Sequence, residues 1–287
     1  MDILLIDRDS KMPNLALMQI SSYFKEHGND VGFNIKDPDK VYISCIFKKN
    51  ADSARGIARF YPDAEIHIGG SGMSYEWLPE PMQKIMPDYT LYDMDYSLGF
   101  TTRGCIRNCP FCIVRDKEGE FRRWQHPREF HNPEFKKIML LDNNLLADRE
   151  WFFEVTDWIL ENDLKLAEHG LDIRLLDQEI AERLAELKLF QTLHFAFDGM
   201  KDENAVRKGI TLLKDAGINL RSQVQFYVLV GYNTTEDEDK YRCRLLKELG
   251  TNAFVMPYKK TKWTQRIARW ANRKWLYWSI DIDDYRG

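Results

Sequence analysis

The chain has 287 residues, 44% hydrophobic and 30% charged, with a formal net charge of −4. That is enough apolar material for a packed core and excludes a disordered chain. No run reaches the ~18–20 apolar residues of a membrane span. The opening MDILLIDRD lacks the basic region and cleavage site of a secretory signal. A cytoplasmic, reducing setting is therefore expected, where clustered cysteines bind metal or catalyse rather than form disulfides.

DILLID (2–7) reads as a buried strand, NLALMQISSYFKEHG as a helix stopped by Gly28, VYISCIF (41–47) as a strand, ADSARGIARFYP as a helix and EIHIGG (65–70) as a third strand. Strands alternating with helices imply a parallel sheet covered on both faces. Residues 1–90 are thus expected to form a small Rossmann-like, doubly wound α/β domain. LPEPMQKIMPDY, with Pro79, Pro81 and Pro87, marks its boundary.

From SLGFTT (97–102) the alternation resumes. Strands are expected at KIMLLDNN (137–144), LDIRLL (171–176), TLHFAFD (192–198), VQFYVLVG (224–231) and NAFVMPY (252–258), mostly with helices between them. Six strands make a partial (β/α)6 TIM-like barrel over residues 91–258, a fold whose chemistry sits in the loops at the C-terminal strand ends. The first of those loops holds Cys105, Cys109 and Cys112, three of the five cysteines. Three thiolates suit zinc or an iron–sulfur cluster. An electron-carrying [4Fe–4S] cluster uses four cysteines, so a three-cysteine set leaves one iron open to a substrate or cofactor. The competing donor set is a structural Cys₃His zinc site completed by His126 or His131, or a redox sensor. Cys45, in an apolar strand, and Cys243, in a helix, read as inert and cannot build a second cluster.

Cys105-Ile-Arg-Asn-Cys109-Pro-Phe-Cys112 resembles the CxxxCxxC signature of the radical S-adenosylmethionine (SAM) enzymes, including the aromatic residue before the third cysteine. The resemblance implies a [4Fe–4S] cluster on Cys105, Cys109 and Cys112, SAM bound at the open iron, and reductive cleavage to a 5′-deoxyadenosyl radical that takes hydrogen from a substrate. It also implies an electron donor such as flavodoxin or ferredoxin. Phe111 is similar to the residue whose backbone meets the adenine amino group. Asp142, Asn143 and Asn144 stand where relatives carry Gly-Gly-Glu to hold the SAM amino group, the alternative being an Asx turn. Gly231 and Met256 match the family's adenine walls, and Arg174 and Asp198 are candidates for the SAM carboxylate and ribose or for a structural ion pair. No acid–base pair identifies a catalytic residue, as expected when a cofactor carries the chemistry.

The N-terminal domain resembles the cobalamin-binding domain of one branch of that family. The Asp-x-His-x-x-Gly motif is missing from Asp7-Arg8-Asp9-Ser10-Lys11-Met12, so a degenerate, cofactor-free domain is favoured over bound cobalamin, with Ile68-Gly69-Gly70-Ser71-Gly72 a weak cradle candidate. Residues 259–287 form a basic aromatic tail. Between Thr251 and Ile280 seven cations stand with no acid, leaving −11 on the rest of the chain, and four of the eight tryptophans lie there. Trp263, Ile267, Trp270 and Ala271 share one helical face, which favours packing on the barrel. The second reading is that interleaved Lys/Arg and Trp/Tyr bind phosphates and stack bases. A nucleotide or nucleic acid is therefore the leading substrate class, with a peptide or small metabolite close behind.

Overall fold

The computed structural model describes all 287 residues. The chain divides into two compact units, Met1–Asn108 with Cys112–Met139, and Cys109–Phe111 with Leu140–Gly287. No helix is long and apolar enough to cross a membrane.

In the first unit β1 (Asp2–Asp7), β2 (Asp30–Gly32), β3 (Lys40–Ser44) and β4 (Glu65–Gly69) form a parallel sheet of order β2-β1-β3-β4. Side-chain alternation along β1 explains the two layers. Ile3 and Leu5 pack with Leu17, Ile20 and Phe24 of α1 (Leu15–Glu26), whereas Leu4 packs with Val41, Ile43 and Ala54 of α2 (Ala51–Ala58). The short strand β2 escapes the sequence pattern because only Val31 is buried in it. A one-turn helix α3 (Glu80–Gln83) leads to β5 (Ser97–Gly99).

The expected single strand at 97–102 is two. β5 neighbours β8 (Lys137–Leu140), whereas β6 (Thr102–Arg103) turns into an antiparallel ribbon with β7 (Arg122–Arg123). The cysteine stretch runs from β6 to the short helix α4 (Val114–Glu118).

In the second unit α5 (Arg149–Glu161), capped by Asp148, precedes β9 (Lys165–Glu168). The strand expected at 171–176 is instead a 3₁₀ turn over Ile173–Leu175, because the Asp172 side chain caps it by accepting from the Arg174 N–H. The third strand lies earlier, at Lys-Leu-Ala-Glu, too short and too polar at its ends to stand out. After α6 (Gln178–Glu186), β10 (Lys188–Leu189) pairs parallel with β9. β11 (Leu193–Ala196), α7 (Glu203–Asp215), the one-turn α8 (Leu220–Gln223), β12 (Val224–Val230), α9 (Glu236–Glu248) and β13 (Asn252–Pro257) follow.

β11, β12 and β13 form a parallel three-stranded sheet of their own, and no sheet of the chain closes on itself. One face of this sheet buries Phe195, Phe226, Val228, Ala253 and Val255. The other carries His194, Tyr227, Phe254 and Met256, with Phe254 38% and Met256 37% exposed. The tail forms α10 (Lys262–Ala271), opened by a Thr261 capping box, and α11 (Lys274–Ser279). Ile267, Trp270 and Ala271 are buried, with α10 packed on β13 and α9, so the tail's apolar stripe is core.

Candidate functional site

Strand order brings the second unit's polar residues to the C-terminal strand ends. After β8, Asp142 and Asn144 are buried at 2% and 3% exposure, and both amide atoms of the Asn144 side chain lack a hydrogen-bond partner. Gly170 packs against this segment: a Cβ there would lie 2.6 Å from the Asn143 carbonyl oxygen and 2.7 Å from that of Asp142. Only glycine admits that approach.

Glu168, the last residue of β9, is fully enclosed. Its Oε1 accepts from the His194 N–H at 2.5 Å and its Oε2 has no partner. Burial first, with Asp142 adding to it, pushes its carboxyl up to about 8. The His194 ring bonds the Glu168 carbonyl through Nδ1 at 2.9 Å and stacks between His169 (5.6 Å) and Tyr227 (5.1 Å). Burial drives His169 down to about 4, lowers His194 and lifts Tyr227 to about 12. Both imidazoles are thus neutral at pH 7, beside a carboxyl that is largely protonated. Such unpaired buried polar atoms are rare in folded chains, which makes this place a candidate site. Glu168, His169, His194 and Tyr227 were not among the residues the sequence singled out. The only trace was an acid ending a short apolar run.

On the same unit, the Cys109–Phe111 segment reaches the ends of β12 and β13. The Phe111 ring meets Tyr232 edge-on at 5.2 Å, and Tyr232 meets Tyr258 at 4.7 Å. Gly231 has φ +73°, and its N–H donates to Asp239 Oδ2 at 3.3 Å. The turn after it is closed by the Thr235–Glu238 capping box of α9, so the glycine serves a strand-to-helix turn. Asp198 Oδ1 accepts from the Leu229 N–H at 3.0 Å, and burial raises its carboxyl.

Arg174 departs from its expected place. It is not a strand residue of a barrel interior but lies in the capped turn, paired with Asp172 at 2.6 Å and Asp202 at 3.5 Å rather than with Asp198. The Asp172 hydrogen bond, assisted by charge at Asp172, Asp202 and Cys109, raises its pKa.

In the first unit the approach to Cys105 is pinned. Gly104 has φ +74°, and a Cβ would lie 2.2 Å from the Glu120 carbonyl oxygen. Its N–H donates to Glu118 Oε2 at 3.1 Å, and Arg103 Nε approaches the same oxygen at 3.4 Å. The Arg103 guanidinium lies 3.9 Å over Phe100 and 4.5 Å over Trp77. Cys105 Sγ accepts from the Arg107 N–H at 3.3 Å, and Cys112 is exposed.

All five cysteines are thiols. Cys45 and Cys243 are buried, and burial raises both, Cys243 to about 12, as suits unreactive thiols. No three His, Cys, Asp or Glu side chains are gathered to hold a metal ion. His126 Nδ1 accepts from the Arg128 N–H and Nε, and His131 Nδ1 bonds Ser97 Oγ at 2.9 Å. Each histidine that would complete a zinc site therefore has one ring nitrogen engaged elsewhere.

In the segment 68–72 Gly70 and Gly72 accommodate the chain itself, whereas Gly69 faces open space. A Cβ on Gly70 would lie 2.5 Å from the Cys45 carbonyl oxygen, and one on Gly72 2.7 Å from the Phe47 carbonyl carbon. Asp9 accepts from Ile46 N, Phe47 N and Asn50 Nδ2, and Tyr92 donates to Asp7.

Comparison with protein-family models and with curated proteins finds no match.

Proposed function

We propose that the chain is a radical SAM enzyme with a partial (β/α)6 barrel, its radical acting on a nucleotide or nucleic acid. The observation that carries the reading is the position of Phe111 against Tyr232, which in turn meets Tyr258, just past the C-terminal ends of two parallel strands, in a segment with the CxxxCxxC spacing. The donor chemistry, three thiols within eight residues of sequence, suits an iron–sulfur cluster, although the three side chains are not gathered around one point as they stand. The orphaned Asn144 amide and Glu168 carboxyl fit the polar end of an amino-acid ligand.

Cys105, Cys109 and Cys112 would hold the cluster. When bound, a [4Fe–4S] cluster with an open iron supplies the electron that splits SAM to a 5′-deoxyadenosyl radical. Asn144 offers a carbonyl acceptor to an ammonium group, Asp142 offers negative charge beside it, and the largely protonated Glu168 carboxyl adds a further oxygen acceptor. Asp198 carries a carboxyl suited to ribose hydroxyls. Phe111, Gly231 and Met256 offer an aromatic edge, bare backbone and a thioether for a flat adenine. Arg174, already paired with two aspartates, orients its neighbours rather than taking the SAM carboxylate alone. In the N-terminal unit Gly70 and Gly72 are packed against the chain's own backbone, which favours a domain that binds no cobalamin. The electron would come from a flavodoxin- or ferredoxin-like donor.

The test is anaerobic: reconstitution with iron and sulfide, reduction with dithionite, addition of SAM and assay for 5′-deoxyadenosine. Cleavage in the parent chain that is absent in Cys109→Ala supports the reading. A colourless protein holding one zinc overturns it.

A further inference from the structure

At the N-terminal ends of β12 and β13, opposite the ends just described, α11 and α8 enclose an open cavity of about 260 Å³ lined by Arg221, Asn252, Lys274, Trp275, Trp278 and Ser279. The floor is rigid. Asn252, 1% exposed, donates to the Arg221 and Val224 carbonyls through Nδ2, and its Oδ1 accepts from Trp278 Nε1 at 3.0 Å. The Arg221 guanidinium lies 4.3 Å over the Trp278 ring. Trp275 stands 67% exposed, the most exposed tryptophan of the chain.

The charges here differ in kind from those elsewhere. Lys240 and Arg244 of α9 pair with Asp281 and Asp283, and Arg266 and Arg269 reach carbonyls of the last residues. Arg221 and Lys274 make no ion pair, and no acid lines the cavity. Lys259, Lys260, Lys262 and Arg273 likewise have no carboxylate partner. A chain with −11 outside its tail thus leaves these cations without a carboxylate partner. Burying Trp270 and Ile267 under α10 explains the tail's apolar stripe but not the exposed indole beside two unpaired cations.

We propose that this cavity is a docking site for single-stranded nucleic acid, with Arg221 and Lys274 on phosphates and Trp275 stacked on an unpaired base. An exposed indole stacks on unpaired bases, and Arg273, exposed and next to Lys274 in the chain, adds a cation for a further phosphate, which suits a strand rather than a mononucleotide. β12 has seven residues, so the cavity lies about 20 Å from the C-terminal strand ends. It holds the strand and does not enclose the reacting group. The inference stands apart from the cofactor reading, because binding requires neither cluster nor SAM.

The experiment is fluorescence anisotropy of a labelled oligonucleotide of about 15 nucleotides, near the largest site of one single-strand-binding module. The full chain is titrated without added cofactor at about 50 mM and about 200 mM salt, a range over which phosphate-driven binding weakens steeply. Affinity is expected to fall about tenfold or more in Trp275→Ala, matching the loss of one stacked base. Arg221→Glu and Lys274→Glu should weaken binding further and lower the salt slope by about one each. Unchanged melting temperatures exclude misfolding at these exposed positions. No binding at the lower salt, undiminished binding in the three variants, or equal binding of a duplex of the same sequence would each overturn the proposal. None of these outcomes touches the 5′-deoxyadenosine assay.

Discussion

Arg242 and Asp239, both in α9, form an ion pair at 2.6 Å with side chains 0% and 1% exposed. The guanidinium also donates to the carbonyls of Phe197 and Leu229, and Asp239 accepts from Gly231 N and Thr234 Oγ1. One buried pair thereby ties α9 to the ends of β11 and β12, where Asp198 and Gly231 stand. Removing one partner leaves a buried charge uncompensated. Arg242→Met is expected to lower unfolding free energy by about 3–5 kcal/mol. Asp239→Asn with Arg242→Met should recover part of that loss in chemical denaturation. Equal stability of the single and double variants would show that the pair does not act as a unit.

Glu168 sets a pH dependence. Its carboxyl is held near 8 in the folded chain against an ordinary 4.5, so across that window the folded state keeps a proton that the unfolded state has lost. Stability therefore falls as pH rises through the window. The neighbouring histidines act the other way but only below about pH 6.5, their ordinary value. Melting temperature should decline from about pH 6.5 to about pH 8, and Glu168→Gln should flatten that decline. A flat parent profile would contradict the enclosed carboxyl.

Asn144 keeps two unpaired amide atoms in the core. Asn144→Leu, of similar size and without those atoms, is expected to stabilise the ligand-free chain by about 1–3 kcal/mol. On the proposed reading SAM raises the melting temperature of the parent, and the same change should abolish that rise. Destabilisation by Asn144→Leu would mean that the amide is satisfied within the fold.

Gly170 abuts the carbonyls of Asp142 and Asn143. Gly170→Ala is expected to cost about 1–3 kcal/mol through overpacking, read by denaturant unfolding, and, on the proposed reading, to weaken a SAM-induced thermal shift by displacing those residues. A variant with unchanged stability and an unchanged shift would show that the contact yields freely.

The cysteines separate into two sets. Iron content after anaerobic reconstitution should fall in Cys105→Ala, Cys109→Ala and Cys112→Ala and stay at parental level in Cys45→Ala and Cys243→Ala, whose thiols are buried. Iron lost equally in all five would remove the distinction between ligand and core cysteines.

The alternation of apolar runs with amphipathic helices was enough to place most elements. β1, β3 and β4, and later β8, β11, β12 and β13, fall where period and glycine stops put them, because buried parallel strands demand uninterrupted apolar residues. The parallel α/β character and the position of the three cysteines ahead of the later strands follow from local pattern alone. β9 did not follow, since Lys-Leu-Ala-Glu gains its burial from neighbouring elements, and Leu171–Leu176 became a turn once Asp172 capped it. The split of β5 from β6 rested on pairing with Arg122 and Arg123, twenty residues on.

At the candidate site, spacing fixed the thiols as a group and composition fixed the basic tail. Tertiary packing alone decided that Glu168 loses its solvent, that Asn144 is left without partners, that Arg174 is engaged by Asp172 and Asp202, and that of the tail tryptophans Trp270 is core and Trp275 open. Desolvation and pairing depend on what distant segments bring to a side chain, and no local pattern carries that information.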